Sequence, residues 1–166
     1  MTRIGLISDT HGWLDEQVFT YFEECDAIWH AGDFGSLEVL EALAKFRPLR
    51  GVYGNIDGQN IRQHFPERSR FQIEDATICM QHIGGYPGRY APGVKAWLTD
   101  RKPTIFVSGH SHILKAQFDQ QLNCLHLNPG AAGRHGWQQV RTIMRFTIDG
   151  AKPKDLEVIE LGKRGG

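Results

Sequence analysis

Ser8-Asp9-Thr10-His11-Gly12 follows directly on the apolar run Ile4-Gly5-Leu6-Ile7, and the reading of that junction decides the fold. A short β-rich run that gives way to small residues and glycine reads as a buried strand ending in a tight turn. The same junction recurs along the chain. Ile28-Trp29-His30-Ala31 leads into Gly32-Asp33, and Val52-Tyr53 into Gly54-Asn55-Ile56-Asp57. Ile78-Cys79-Met80 leads into Gln81-His82, and Ile105-Phe106-Val107 into Ser108-Gly109-His110-Ser111-His112. Oxygen and imidazole donors placed at several strand ends can converge on one rim, where open α/β sheets build their sites. The pattern points to a metal centre.

Between these junctions the chain changes character near residue 70. Before it, strand Arg3–Ser8, an amphipathic helix Leu14–Glu24, strand Ala27–Ala31, helix Leu37–Lys45 and strand Leu49–Tyr53 make a βαβαβ pattern. Such a pattern calls for a parallel sheet. After it, strands dominate. Phe71–Ile73 and Thr77–Gln81 flank a Glu74-Asp75 turn, a helix spans Val94–Asp100 and stops before Pro103, and Thr104–Val107 follows. Further strands are expected at Lys115–Asp119, Asn123–Leu127, Arg141–Ile148 and Leu156–Leu161, with turns at Gln120-Gln121 and Asp149-Gly150. Two packed sheets with helices outside accommodate this many strands. We read residues 1–161 as one domain and 162–166 as a disordered tail.

Composition narrows the function classes. Lys and Arg number 19 and Asp and Glu also 19 among 166 residues, giving a net charge of +0. Proteins that live on long nucleic acid or anionic membrane carry a basic excess, so both partners are disfavoured. Cys25, Cys79 and Cys124 are widely spaced, odd in number and form no CxxC pair, which fits reduced thiols in a cytoplasmic protein. No secretory leader is read, because the first strand begins almost at Met1, and no apolar run reaches membrane-spanning length.

A divalent ion needs about four to six ligands, and the strand-end residues can supply two sets. Asp9 and His11, spaced i and i+2 in one turn, can point the same way, and His110 and His112 repeat that geometry. Asp33, alone on its turn, suits a carboxylate bridging two ions, while Asn55 and His82 add a neutral oxygen and a nitrogen. Nitrogen and oxygen donors without thiolate favour Mn, Fe, Ni or Zn, with Mn²⁺ foremost. Calcium is disfavoured because too few oxygens are offered. Taken singly, each signal has an ordinary explanation: a cap for Asp-x-His, a turn for Gly54-Asn55, a half-buried core histidine for His82. Their ordered recurrence at strand ends outweighs those explanations.

Ser8-Asp9-Thr10-His11-Gly12, Gly32-Asp33, Gly54-Asn55-Ile56-Asp57, His82 and Gly109-His110-Ser111-His112 together resemble the calcineurin-like metallophosphoesterase superfamily. Asn128-Pro129-Gly130-Ala131 with the following Arg134 looks like a turn of its small single-domain bacterial and archaeal phosphodiesterase branch. The resemblance runs from residue 3 to about 148. It implies an α/β (α+β) fold, a four-layer αββα sandwich with two mixed β-sheets. It also implies one metal held by Asp9, His11, Asp33 and His112, and a second by Asp33, Asn55, His82 and His110. Water activated between the two ions would attack a phosphate ester in line, with the Asn55 amide beside the phosphoryl oxygens. A small phosphodiester is the expected substrate, with a phosphomonoester as the alternative.

The chain departs from the wider superfamily at two positions. The histidine that many larger members carry after the metal-binding asparagine is Ile56 here, and the aspartate that would orient it is Ser36. Esters with reactive leaving groups need no proton donor. For poorer ones Asp57 is the candidate, with shaping of its turn as the equal alternative. Arg89, in the aperiodic stretch Gly84–Gly93, and Arg134 are the candidate phosphate-binding residues. Tyr86 or Tyr90 could stack on a base. His30 reads as a core histidine, His64, His126 and His135 as structural or surface residues, and Trp13 as packing. A non-catalytic interaction scaffold on the same fold, like the retromer subunit that resembles a degenerate phosphoesterase, is the rival reading. A metallo-β-lactamase-type site is remote, since Ile113, Leu114 and Lys115 follow His112. The oligomeric state is left open, a homodimer included.

Overall fold

Alternation along each strand sets the layers, because successive side chains point to opposite faces of a sheet. In the computed structural model, which describes residues 1–165, β1 (Thr2–Ile7) buries Ile4 and Leu6 on one face and Ile7 on the other. β2 (Ala27–His30) likewise sends Trp29 inward and Ile28 outward. One five-stranded sheet runs in the order β12-β11-β1-β2-β3, with β3 at Leu49–Gly51, β11 at Val140–Asp149 and β12 at Lys152–Lys163. β1, β2 and β3 are parallel, as the βαβαβ pattern requires, and β11 and β12 add antiparallel neighbours.

The second five-stranded sheet has the order β4-β5-β8-β10-β9. Its strands are β4 (Arg68–Ile73), β5 (Ala76–Gln81), β8 (Ile105–Val107), β9 (Lys115–Asp119) and β10 (Cys124–Asn128). β5, β8 and β10 are parallel, while β4 and β9 are antiparallel to their neighbours, so both sheets are mixed.

The sheets meet over a seam of Ile4, Leu6, Trp29, Ile78, Met80, Ile105, Val107, Leu127, Met144 and Phe146. Each fully buried aliphatic side chain there contributes about 1.5–3 kcal/mol. Trp29 stands edge-on to Phe71 and Phe146, with centroids 5.1 and 5.7 Å away. On the far face of the first sheet, Ile7, Ile28 and Ile143 pack with α1 (Gln17–Tyr21), α2 (Leu37–Phe46) and α3 (Gln59–Arg62) through Val18, Leu40, Leu43 and Ile61. Gly5 is required there, since a Cβ would sit 2.8 Å from the Phe22 ring. On the far face of the second sheet, Cys79, Phe106 and Cys124 pack with Val94 and Leu98 of α4 (Val94–Arg101). The result is the expected order of helices, sheet, sheet and helix. Among the described residues no helix is long and apolar enough to cross a membrane.

Several elements differ from the sequence reading. The helix expected at Leu14–Glu24 is one short segment, α1. Asp15 lies outside it because its carboxylate accepts the Gln17 N–H at 2.9 Å and meets Arg141 of β11 at 2.6 Å, which holds the preceding residues as a loop. The stretch after His82 contains a small hairpin of β6 (Gly85–Tyr86) and β7 (Arg89–Tyr90). α3, a single turn, is too short to leave a periodic trace. Of the tail expected at 162–166, Gly162 and Lys163 are strand residues paired with Arg141 and Val140, and the Arg164 N–H donates to the Gln139 carbonyl. Residue 166 lies outside the described residues.

Candidate metal centre

The loops that leave β1, β2, β5, β8 and β10 are laced into one rim by backbone bonds. The Asp9 N–H donates to Gly32 O, the Gly109 N–H to His82 O and the Ala132 N–H to Ser8 O, at 2.9–3.0 Å. These loops turn sharply. Asp9 (φ 54°), His11 (47°), Asp33 (59°), His110 (70°) and His112 (61°) all occupy the left-handed region. That conformation costs a non-glycine residue about 1–3 kcal/mol and is held only where surrounding structure enforces it. Gly54 is obligatory for closeness, since a Cβ would collide with the Asp33 carboxylate. At Gly32 (φ 104°) a Cβ would stand 2.6 Å from the His82 ring.

The lacing brings two groups of donors together. Asp9, His11 and His112 form one, Asp33, His82 and His110 the other, with the donor atoms of each within 4.8 Å of one another. Two carboxylate oxygens join the groups. Asp33 Oδ2 lies 3.4 Å from His11 Nε2 and 3.1 Å from His82 Nε2. Asp9 Oδ1 lies 3.2 Å from His112 Nε2 and 3.8 Å from the Nε2 atoms of His11 and His82. The Asn55 amide stands beside the second group, its Oδ1 3.0 Å from His110 Nδ1.

The surroundings aim these atoms at a common point. The His82 Nδ1–H donates to Ala31 O at 2.7 Å and the His112 Nδ1–H to Gln138 Oε1 at 2.8 Å, which turns both Nε2 atoms inward. Asp9 Oδ2 is occupied by the Ser8 hydroxyl at 2.6 Å and the His110 N–H at 3.1 Å, leaving Oδ1 free. Asp9 Oδ1, His11 Nε2 and His82 Nε2 are buried without a hydrogen-bond partner. A buried polar atom left unpaired costs about 1–3 kcal/mol. Orphaned oxygen and nitrogen atoms facing one another suit a divalent cation.

Electrostatics agree. Burial works against the Asp9 charge, yet His11, His112 and His82 outweigh it and hold the carboxyl well below its usual range. Asp33 is opposed by burial and held down chiefly by His82. Burial disfavours the charged forms of His82 and His112, but the facing carboxylates raise both pKa values. His110, further from them, is lowered by burial and by His82. The site attracts positive charge.

Other candidates fall out differently. Asp57 is buried and accepts four backbone N–H groups: Asp33 at 2.9 Å, Phe34 at 3.2 Å and Gly54 at 2.8 Å on Oδ2, and Gly35 at 3.0 Å on Oδ1. It ties the Asp33 loop to the Asn55 loop, so of its two expected roles the geometry supports the turn and not the proton donor. Arg89 lines a separate groove with Lys95, Phe118 and Asp119, away from every donor of the two groups. Arg134 lies over the Trp13 ring at 3.9 Å, between Gly133, whose N–H donates to Asp9 O, and His135. His135 stacks on His11 at 4.6 Å, a neighbour that the sequence reading assigned to structure or surface. His30 is buried; its Nε2–H donates to Thr10 Oγ1 and its Nδ1 accepts the Gly32 N–H, both at 3.0 Å, and burial pushes its pKa down to about 3. It stays neutral and fastens the Asp9 and Asp33 loops together. Gln138 carries no sequence signal, because its partner His112 lies 26 residues away. Asn128 braces the His110 loop through Nδ2–H bonds to Gly109 O and Ser111 Oγ at 3.1 and 3.2 Å.

Known proteins share this arrangement of chain. A model of the calcineurin-like phosphoesterase superfamily domain matches residues 2–151. A probable metallophosphoesterase of Methanothermobacter thermautotrophicus is 30% identical over 165 residues, covering 96% of this chain and 92% of that one. The solved structure of an archaeal phosphodiesterase superposes with a TM-score of 0.75 at 20% identity, over 96% of this chain and 99% of that one. Vps29 of Chaetomium thermophilum does so with a TM-score of 0.76 at 14% identity, over 98% and 100%. The last two likenesses speak to the fold alone.

Proposed function

The chain belongs to the calcineurin-like phosphoesterase superfamily, and from that premise we propose that it is a two-metal phosphoesterase acting on small phosphodiesters in the cytoplasm. The observation that carries the reading is Asp33 Oδ2, which touches His11 of one donor group and His82 of the other, as a carboxylate shared between two cations must. Asp9, His11, Asp33 and His112 would hold one ion, and Asp33, Asn55, His82 and His110 the other. Two divalent ions, manganese foremost, supply Lewis acidity and make a water nucleophile available at neutral pH.

The chain's own residues do the rest. Asp9 and Asp33 are the anionic residues of the two donor groups, so the loaded centre stays cationic and draws a phosphate ester. The Asn55 amide, exposed beside His110, is in reach of phosphoryl oxygens on that side. Ile56, next to Asn55, is exposed and offers no proton, so leaving groups that depart unprotonated react fastest. Diester preference draws on the shared fold of the archaeal phosphodiesterase. The cytoplasmic assignment draws on three free, buried cysteines.

Hydrolysis of bis-p-nitrophenyl phosphate with Mn²⁺, beside Asp33→Asn and His82→Ala, tests the proposal. We expect turnover by the wild type that Asp33→Asn lowers on the order of 10²–10³-fold and that His82→Ala also lowers steeply. A wild type inert with Mn, Fe, Ni and Zn would instead favour the interaction scaffold, and turnover of p-nitrophenyl phosphate alone would favour a monoesterase.

A further inference from the structure

A groove of about 240 Å³ opens beside the second donor group, lined by Tyr53, Asn55, Arg62, Glu67, His82 and Ile83. Arg62, the last residue of α3, is anchored in it at two points. Its Nε–H donates to the Asp57 carbonyl at 2.6 Å, and its guanidinium lies over the Tyr53 ring at 4.3 Å. Neither anchor is an Nη hydrogen bond, and Arg62 is exposed where it lines the groove. The first anchor makes use of the same Asp57 whose carboxylate ties the Asp33 and Asn55 loops together, so Arg62 is set in fixed relation to both. A guanidinium held by its stem and face loses little freedom when its edge meets an oxyanion, and its planar fork matches phosphate geometry.

We propose that Arg62 is the residue through which this site grips a phosphate oxygen of its substrate, entering over the Asn55–His82 side. The inference rests on the phosphoesterase reading for the substrate's identity, but the anion contact stands on its own geometry. It assigns to α3 the role that sequence alone suggested for Arg89, which lies in a different groove. Glu67 shares the groove and is exposed. Its charge weakens the hold on a free anion, and the exposed Ile83 offers an apolar wall for an arm of a diester.

Calorimetric titration of the Mn²⁺-loaded protein with inorganic phosphate provides the test. Arg62→Met keeps the stem against Tyr53 and removes the fork, and should weaken phosphate binding roughly 10- to 100-fold. Arg62→Lys keeps the charge, serves if the methionine variant does not fold, and should fall between the two. Glu67→Gln should tighten binding, and Arg101→Met, on the exposed end of α4, should leave it unchanged. With bis-p-nitrophenyl phosphate, Arg62→Met should raise KM by a similar factor with kcat nearly kept. Phosphate affinity equal in wild type and both Arg62 variants, or no binding to wild type, overturns the inference. A wild type that hydrolyses no ester while Arg62→Met still loses phosphate removes the phosphoesterase reading and leaves the anion contact standing.

Discussion

Between the sheets, Ile4, Leu6, Ile78, Met80, Ile105 and Val107 sit fully buried in ordinary strand backbone. A few residues further along the same strands, Asp9, His82 and His110 stand at the rim. There the backbone is left-handed at Asp9 and His110, two carboxylates lie within 4 Å of histidine nitrogens, and buried atoms go unpaired. The seam keeps to ordinary strand backbone, with the buried Trp29 Nε1 left unpaired, whereas the rim combines left-handed backbone, facing charges and several unpaired atoms. The difference teaches that the seam's surplus stability holds the rim in a conformation it would not adopt alone. Two buried histidines show how much the neighbours matter. His82 faces Asp33 and Asp9 and has its pKa raised against burial, while His126 has the Ser108 hydroxyl at 2.8 Å and no facing carboxylate among the causes of its shift, and burial and Lys115 push it down to about 4.

If that division of labour is right, substitutions in the two regions should separate activity from stability. Asp33→Asn should cost on the order of 10²–10³-fold in kcat/KM, while asparagine, tolerated at φ 59°, changes Tm by no more than roughly 2–4 °C. Steady-state kinetics beside differential scanning calorimetry checks both halves, and a large fall in Tm would break the comparison. Asp57→Ala belongs to the scaffold although it borders the rim. Four orphaned N–H groups should cost about 4 kcal/mol in urea unfolding, and the folded fraction should keep the wild-type pH profile. A vanished alkaline limb would return Asp57 to proton donation. Ile78→Ala, wholly within the seam, should lose about 2–5 kcal/mol with kcat per folded molecule intact.

The effect confined to acid pH is the most specific. His126 titrates near 6.5 when unfolded and at about 4 when folded, so the unfolded chain binds the extra proton between those values. Stability is therefore fully present above about pH 6.5 and declines as pH falls toward 4, by about 3 kcal/mol in all. His126→Gln should flatten that slope in denaturant titrations run from pH 7 to 4. A slope unchanged by the substitution would show that the acid loss arises elsewhere.

Much of this was legible in the sequence because the seam and the rim are both written locally. Alternation at Ile4-Gly5-Leu6-Ile7 and its counterparts predicts the strands, and the polar residue just past each strand predicts the donors, all of which the two groups and Asn55 bring together. What escaped were relations between distant residues. Gln138 matters only because His112 is near it, and Arg62 only because a one-turn helix carries it to Asn55 and His82. The 14–16 segment reads as helix until the Asp15–Arg141 ion pair, which no local pattern reveals, is known. Asp57 was ambiguous because a buried carboxylate that donates a proton and one that gathers N–H groups look alike in a Gly-Asn-Ile-Asp turn.

A crystal grown with manganese and measured at the manganese absorption edge bears most directly on the central claim. Two anomalous peaks should stand roughly 3.5–4 Å apart, one among Asp9, His11 and His112, the other among Asn55, His82 and His110, with Asp33 between them. A single ion elsewhere on the surface, or no peak at the rim at full manganese loading, would contradict it.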